Sequence, residues 1–157
     1  MRMTTRRLAL LLLLSLTLLA LVGPAPGRAD TVEDMRQATA AYYGGQYQKA
    51  IDLYSKAIAS NDLSGTRLAS AYRGRGQSNL KIQDYDAAIQ DFTLAIGLDN
   101  GPDNLAACYR GRAQAYEATE QRNQAIDDWR RLAFVDPNDN EARRALVRLG
   151  EKPGILP

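Results

Sequence analysis

The sequence predicts an all-α fold in which three helix hairpins are stacked and a single helix follows them. The pair alanine–isoleucine occurs three times in the same setting, with its alanine at Ala50, Ala88 and Ala125. A large aromatic ring stands four residues after each alanine, and a small residue stands twelve residues before it. The +4 spacing puts alanine and ring on one helical stripe, and the small residues allow a second helix to approach closely.

Residues 1–29 differ from the rest of the chain. They have a basic start, a largely apolar run from Leu8 to Val22 and a small residue at each end of Gly27-Arg28-Ala29. This pattern is typical of a secretory signal peptide, which predicts cleavage after Ala29 and a periplasmic or secreted product. The apolar run is short for a hydrocarbon core of about 30 Å, so a retained membrane anchor is the less favoured alternative.

The charge of the chain depends on this segment. The full sequence has a net charge of +2, and the four arginines of residues 1–29 account for it. The remainder carries 16 basic and 18 acidic residues, a net charge of −2. A broad basic surface for nucleic acid is therefore not predicted.

The composition also argues against an enzyme. Histidine is missing from the sequence, and with it the commonest general base and metal ligand. Cys108, the single cysteine, lies in an alanine-rich stretch that predicts a buried thiol and cannot form an internal disulfide. Adjacent Asp127 and Asp128 would point about 100° apart on a helix. We therefore predict no catalytic residues, metal or cofactor.

The first hairpin is predicted over residues 31–62. Its two helices meet at the turn "YGGQY", where Gly44 and Gly45 suit a helix end that needs positive φ. Its ring is Tyr54, and the small residue of its first helix is Ala38.

The second and third hairpins are predicted over residues 64–100 and 102–137. Their turns are "KIQDY" and "TEQRN", and their rings are Phe92 and Trp129. Ser64 is the predicted N-cap of the second unit, and Asp103, just after Pro102, that of the third.

A lone amphipathic helix is predicted over residues 138–149, followed by a flexible tail over 151–157. Asn138 with Glu141 resembles a capping box, and Gly150 is a natural stop. Its apolar face would cover the last hairpin, while arginines fill the other face.

The three units together resemble the tetratricopeptide repeat, a helix-turn-helix unit of about 34 residues with this code of small, aromatic and alanine positions. The resemblance covers roughly residues 31–149. The units are longer here, at 38 and 37 residues, and the family's proline near the unit end survives only as Pro137. The resemblance implies a right-handed superhelix whose first helices line a concave groove that receives a peptide or a partner's helix.

The stretch "YRGR" occurs within the first helix of the second and third units, and its second arginine is Arg75 or Arg112. Each stands sixteen residues before an aspartate of the paired helix, Asp91 or Asp128. Both charges are missing from the equivalent places of the first unit. The sequence therefore predicts structural ion pairs, Arg75–Asp91 and Arg112–Asp128, within the two hairpins.

The other arginine of each "YRGR" points about 200° away and is predicted to face the groove. A glutamine follows it by four residues on the same stripe. The predicted groove has an aromatic end and an arginine–glutamine ladder, made of Met35, Thr39, Tyr42, Tyr43, Arg73, Gln77, Lys81, Arg110, Gln114, Glu117, Arg144 and Arg148. The alternative is that these side chains form an ordinary solvated face.

Some tetratricopeptide proteins clamp a C-terminal carboxylate with an asparagine where this chain has Gly111, so C-terminal recognition is not predicted. What the resemblance implies is a non-enzymatic adaptor of an exported bacterial type that binds a protein or peptide in the cell envelope. The alternative is a structural or self-oligomerising subunit, because no helix precedes the first unit after cleavage.

Overall fold

The computed structural model describes residues 27–151, and within this range the regular structure is entirely helical. Seven helices follow one another: α1 (Arg28–Tyr43), α2 (Tyr47–Ala59), α3 (Gly65–Lys81), α4 (Tyr85–Leu98), α5 (Pro102–Ala118), α6 (Arg122–Val135) and α7 (Asn140–Arg148). No helix in the described range is both long and apolar enough to cross a bilayer. The predicted signal segment lies outside this range except for residues 27–29, and the predicted tail lies outside it beyond Glu151.

The helices form two layers of antiparallel hairpins. Each helix packs on the next along the chain, and α3 also contacts α1 and α5. The first helices of the units, α1, α3 and α5, therefore lie side by side in one layer, with α2, α4 and α6 behind them. The predicted all-α stack of hairpins with a closing helix is confirmed.

One left-handed residue closes each hairpin turn. Gly45, Gln83 and Glu120 have φ values of 73°, 65° and 60°, and they occupy the same place in successive units. Only Gly45 fulfils the expectation of positive φ in the first turn, since Gly44 has a φ of −81°. The turn needs a single left-handed residue, and two units accept a side chain there at a small cost in strain.

Two residues predicted to be N-caps, Ser64 and Asp103, do not form capping hydrogen bonds through their side chains. Ser64 is the N-cap residue of α3, but its side chain accepts no capping hydrogen bond. The N-cap of α5 is Gly101, with Pro102 as the first helical residue and Asp103 inside the first turn. Asp103 therefore acts on the helix dipole rather than as a cap.

The cap of α7 lies one residue later than predicted. Asp139 accepts a hydrogen bond from the backbone N–H of Ala142, at 2.7 Å, and Asn138 precedes it. Glu141 does not complete a capping box, because it stands two residues after Asp139 and the box needs an acid three residues after the N-cap. Gly150 stops the helix as predicted, with a φ of 82°.

The rings are the largest parts of the core, and those of the first two units pack against the following unit. Tyr54, Phe92 and Trp129 are buried in three separate hydrophobic clusters along the stack. The Tyr54 ring lies against Gly74, and the Phe92 ring lies against Gly111, the glycines of the two "YRGR" stretches. These glycines leave room for the ring of the preceding unit.

Replacement of Gly111 by alanine is expected to lower the free energy of unfolding by about 1–2 kcal/mol, measured by urea denaturation. A Cβ at Gly111 would stand 2.3 Å from Cζ of the buried Phe92 ring, which outweighs the gain in helix propensity. Gly97 in α4 is the matched control, because no atom lies within 4 Å of its Cβ position. Gly97→Ala should stabilise by up to about 1 kcal/mol, and equal effects of the two changes would contradict this packing.

Candidate partner-binding surface

An arginine–aspartate pair joins the two helices of the second unit. The Arg75 guanidinium donates to both Asp91 carboxylate oxygens, at 2.9 and 2.7 Å. Asn79 donates to the same carboxylate at 3.1 Å. The hydrogen bonds to Asp91 raise the pKa of Arg75, so the guanidinium stays charged.

The third unit repeats this pair between α5 and α6. Arg112 donates to both oxygens of Asp128, at 2.7 and 2.8 Å. Burial lowers the pKa of Arg112, but the hydrogen bond and charge of Asp128 outweigh it, so the pKa is raised overall. Both predicted pairs are thus formed within their hairpins and are unavailable to a partner.

The same arginines also reach the preceding unit, which the sequence reasoning missed. Arg75 donates to the Ser55 hydroxyl at 3.1 Å, and Arg112 donates to the Thr93 hydroxyl at 2.8 Å. Ser55 and Thr93 each stand five residues after the alanine on which the units align. The shared position of these two hydroxyl residues in successive units could have indicated the contact. Each arginine thus joins three helices.

The first unit has an ion pair of reversed polarity. Lys56 on α2 donates to the Asp34 carboxylate on α1 at 2.9 Å. The two residues stand at other places in the unit than Arg75 and Asp91, so comparison of aligned positions could not find them.

The outer face of the first unit is built differently from a stacking surface. Arg36 occupies the place that Gly74 and Gly111 hold in the later units, and its guanidinium pairs with Glu33 at 2.6 Å. An arginine here leaves no recess for an incoming ring. A pocket of about 370 Å³ lies beside it, lined by Arg36, Gln37, Ala40, Ala41, Gln46 and Lys49.

A concave pocket of about 130 Å³ is formed by the layer of first helices. Its lining residues come from α1, α3 and α5 together: Tyr42, Gln77, Leu80, Lys81, Ala107, Arg110, Gly111 and Gln114. Five of the twelve predicted groove residues meet here, namely Tyr42, Gln77, Lys81, Arg110 and Gln114. Leu80, Ala107 and Gly111 add an apolar floor that the sequence reasoning did not assign to the groove.

Tyr42 forms the α1 end of this pocket. The Tyr42 ring makes edge contacts with Tyr43 and Tyr47, with ring centroids 5.4 and 5.7 Å apart. Tyr43 is 82% exposed and does not line the pocket. Tyr42 is therefore held by its neighbours with one part of its ring open to the pocket.

The other predicted groove residues of α1 serve the first unit itself. Met35 packs against the first hydrophobic cluster. Thr39 donates to the Met35 carbonyl at 2.9 Å, and its hydroxyl lies 3.1 Å from that of Tyr54. Neither residue lines the concave pocket.

The polar side chains of α5 are engaged by α7. Arg110 pairs with Asp139, and its Nε lies 3.3 Å from Oε2 of Glu141. Gln114 donates to the other oxygen of Glu141 at 2.8 Å. Burial raises the pKa of Asp139, but the Ala142 N–H and Arg110 outweigh it, so the carboxylate stays ionised near neutral pH.

A second contact joins the far ends of the same two helices. Arg148 donates to both oxygens of Glu117, at 2.9 and 2.8 Å, and the Trp129 indole donates to this carboxylate at 2.7 Å. Arg144 donates to the Asn140 carbonyl of its own helix at 3.0 Å. The sequence predicted that the groove residues of both helices are available to a partner. In the structure, those of the third unit are instead paired with residues of α7.

Two of the predicted groove cations lie on α3 and form none of these pairs. Within residues 27–151, neither Arg73 nor Lys81 has a carboxylate within 4 Å. Lys81 lines the concave pocket, whereas half-buried Arg73 lies one helical turn before Gln77 and outside the lining. Of the two cations that line the concave pocket, Arg110 is therefore paired within the chain, and Lys81 is left to meet a ligand.

Cys108 lies below this surface and is buried in the second cluster of the stack. Burial raises the pKa of its thiol to about 12. The thiol is accordingly protonated at neutral pH and unsuited to nucleophilic chemistry.

The architecture is a stack of helix hairpins. It is defined by the paired helices, by the ring-to-glycine contacts between units and by the layer of first helices. Residues 35–104 match the family model described as the tetratricopeptide repeat. This part of the chain thus matches the tetratricopeptide repeat, and the described residues have a tetratricopeptide-like fold. The Arabidopsis OM64 tetratricopeptide-repeat domain is similar in structure, with a TM-score of 0.69 and 27% identity over 78% of this chain and 97% of that one.

Other proteins share parts of the repeat sequence or its fold. Sperm-associated antigen 1 of Mus musculus is 33% identical over 106 residues, which are 68% of this chain and 11% of that protein. The chain thus spans about a ninth of the length of this relative. The second repeat domain of human RPAP3, solved in complex with the HSP70 peptide SGPTIEEVD, shares the fold with a TM-score of 0.67, 24% identity, and coverage of 80% of this chain and 100% of that one.

Proposed function

We propose that this tetratricopeptide-repeat domain is a non-enzymatic module that binds an acidic segment of a protein or peptide on its concave face. The observation that carries the proposal is the concave pocket, to which three first helices contribute and in which Lys81 has no carboxylate partner among the described residues. An acidic ligand would supply the missing partner. Repeat stacks of this kind use such extended concave surfaces for binding.

The pocket lining can contact both the backbone and the side chains of a peptide ligand. Gln77 can donate to and accept from a peptide backbone, while Lys81 provides a charge for a carboxylate. Tyr42 and Leu80 offer apolar surface for a neighbouring side chain of the ligand. The fold relative RPAP3 was solved with an acidic peptide, which supports the choice of ligand class.

Action in the cell envelope forms a further part of the proposal, and residues 1–29 support it with the pattern of a signal peptide. The helix α1 begins at Arg28, so cleavage after Ala29 would remove only its first two residues. The mass of the mature protein in fractionated cells tests the compartment and the cleavage site together. A full-length mass in the cytoplasmic fraction would exclude export.

The binding test uses fluorescence anisotropy with labelled SGPTIEEVD, the HSP70 peptide of the RPAP3 complex. We expect Lys81→Gln to weaken binding roughly three- to fivefold, because an exposed ion pair is worth up to about 1 kcal/mol. Lys49→Gln removes the same charge from the other pocket, on the outer face of the first unit, and should leave the affinity unchanged.

A second comparison uses the peptide SGPTIQQVN, in which the three side-chain carboxylates become amides. It should bind more weakly than SGPTIEEVD to the natural protein, and Lys81→Gln should reduce this difference. Equal binding of the two peptides would exclude a contact of Lys81 with their side-chain carboxylates. Equal losses for Lys81→Gln and Lys49→Gln would exclude a specific role of Lys81 in binding.

A further inference from the structure

The contact between α5 and the start of α7 places acidic side chains on the concave layer of first helices. Asp139 and Glu141 both reach Arg110, and Glu141 also accepts from Gln114. Arg110 and Gln114 line the concave pocket. Two carboxylates of the chain itself are therefore bound to the α5 wall of the pocket.

The equivalent wall on α3 has no such occupants. The places that correspond to Asp139 and Glu141 one unit earlier are Pro102 and Asn104, neither of which carries a charge. Arg73, the counterpart of Arg110, has no carboxylate within 4 Å in the described part of the chain. The α5 wall thus holds acidic residues from the start of α7, and the α3 wall has no equivalent of them among the described residues.

We propose that Asp139 and Glu141 occupy the sites on α5 at which a ligand's carboxylates would otherwise bind. An acidic ligand is therefore bound by the side chains of α3. This inference rests on the proposed function and specifies which wall of the pocket provides the positive charge that binds the acidic ligand. The Arg110 guanidinium already binds two carboxylates, so a third adds little binding energy. A ligand's carboxylate would have to displace one that belongs to the same chain and therefore stays close to Arg110.

Two amide substitutions test this with little change of shape. Asp139→Asn keeps a side-chain oxygen for the N-cap bond to Ala142, since asparagine caps as well as aspartate. Glu141→Gln keeps an oxygen for Gln114. The double variant should bind SGPTIEEVD roughly tenfold more tightly than the natural protein in the same anisotropy assay, because Arg110 becomes available to the peptide.

A matched control removes two carboxylates elsewhere. Asp127 and Glu151 both contact Arg130, away from the concave pocket, so Asp127→Asn with Glu151→Gln makes the same change in net charge. This control should change the affinity less than twofold. Addition of Arg110→Gln to the Asp139→Asn/Glu141→Gln variant should abolish its gain.

The outcomes separate this inference from the proposed function. If the natural protein binds the peptide and the double variant gains no more than the control, Asp139 and Glu141 serve only to hold α7 and the inference is wrong. If neither protein binds, both the inference and the proposed acidic ligand are wrong. A gain that survives Arg110→Gln also overturns the inference, since it would come from net charge.

Discussion

Replacement of Phe92 by alanine is expected to lower the free energy of unfolding by about 3–5 kcal/mol. The ring is 0% exposed, and it fills the space between its own hairpin and the next one. Its edge lies near both Gly76 of α3 and Gly111 of α5. The loss therefore opens a cavity at the junction of two units, which surrounding helices can close only by moving as whole bodies. Urea denaturation followed by circular dichroism measures the effect.

Leu94, two residues further along the same helix, provides the control. Its side chain is 47% exposed, so Leu94→Ala removes a residue from α4 without emptying the core. We expect its effect to stay within about 1 kcal/mol. Equal losses for Phe92→Ala and Leu94→Ala would mean that the ring does not join the units.

The size of the Phe92 effect follows from how the stack is built. The buried side chains form three clusters along the chain, so no single large core supports all units. In such arrays the stability is approximately a sum of unit terms and nearest-neighbour interfaces. Loss of the Phe92 ring therefore weakens the interface between the second and third units.

The features that repeat could be predicted from the sequence. The alanine, ring and small positions recur in three units, so each one supports the others and fixes the hairpin boundaries to within a few residues. The pairs Arg75–Asp91 and Arg112–Asp128 also occur twice at one spacing, which is why they could be paired without coordinates. A recurrent spacing carries information about contacts because each unit has the same geometry.

The features that occur once could not be predicted in this way. The contacts of Arg110 with Asp139 and Glu141 have no counterpart in the other units. Arg73 and Arg110 occupy the same place in their units, so the sequence reasoning assigned them one role. Their surroundings differ because α7 follows the third unit where another first helix follows the second.

The helix starts were also predicted less well than the helix interiors. The cap of α7 could be Asn138 or Asp139 by residue type, and both are good N-caps. The structure selects Asp139, whose carboxylate also reaches Arg110. A tertiary contact thus decides between neighbours that local propensity cannot separate.

Replacement of Asp128 by alanine is expected to lower the free energy of unfolding by about 3–5 kcal/mol, since it leaves the Arg112 charge without a partner. The side chains of Arg112 and Asp128 are 14% and 4% exposed, so water cannot easily replace the lost carboxylate. The neighbouring Asp127 is 69% exposed, and Asp127→Ala should change the free energy of unfolding by no more than about 0.5 kcal/mol.

A double-mutant cycle separates the pair itself from the cost of a stranded charge. Arg112→Met with Asp128→Leu replaces both groups by apolar side chains, and it should recover most of the stability that Asp128→Ala loses, because no buried charge remains. Urea denaturation of Arg112→Met, Asp128→Leu and the double variant gives the coupling energy. A coupling near zero would mean that the two groups act independently, and that the third unit is held by its apolar contacts alone.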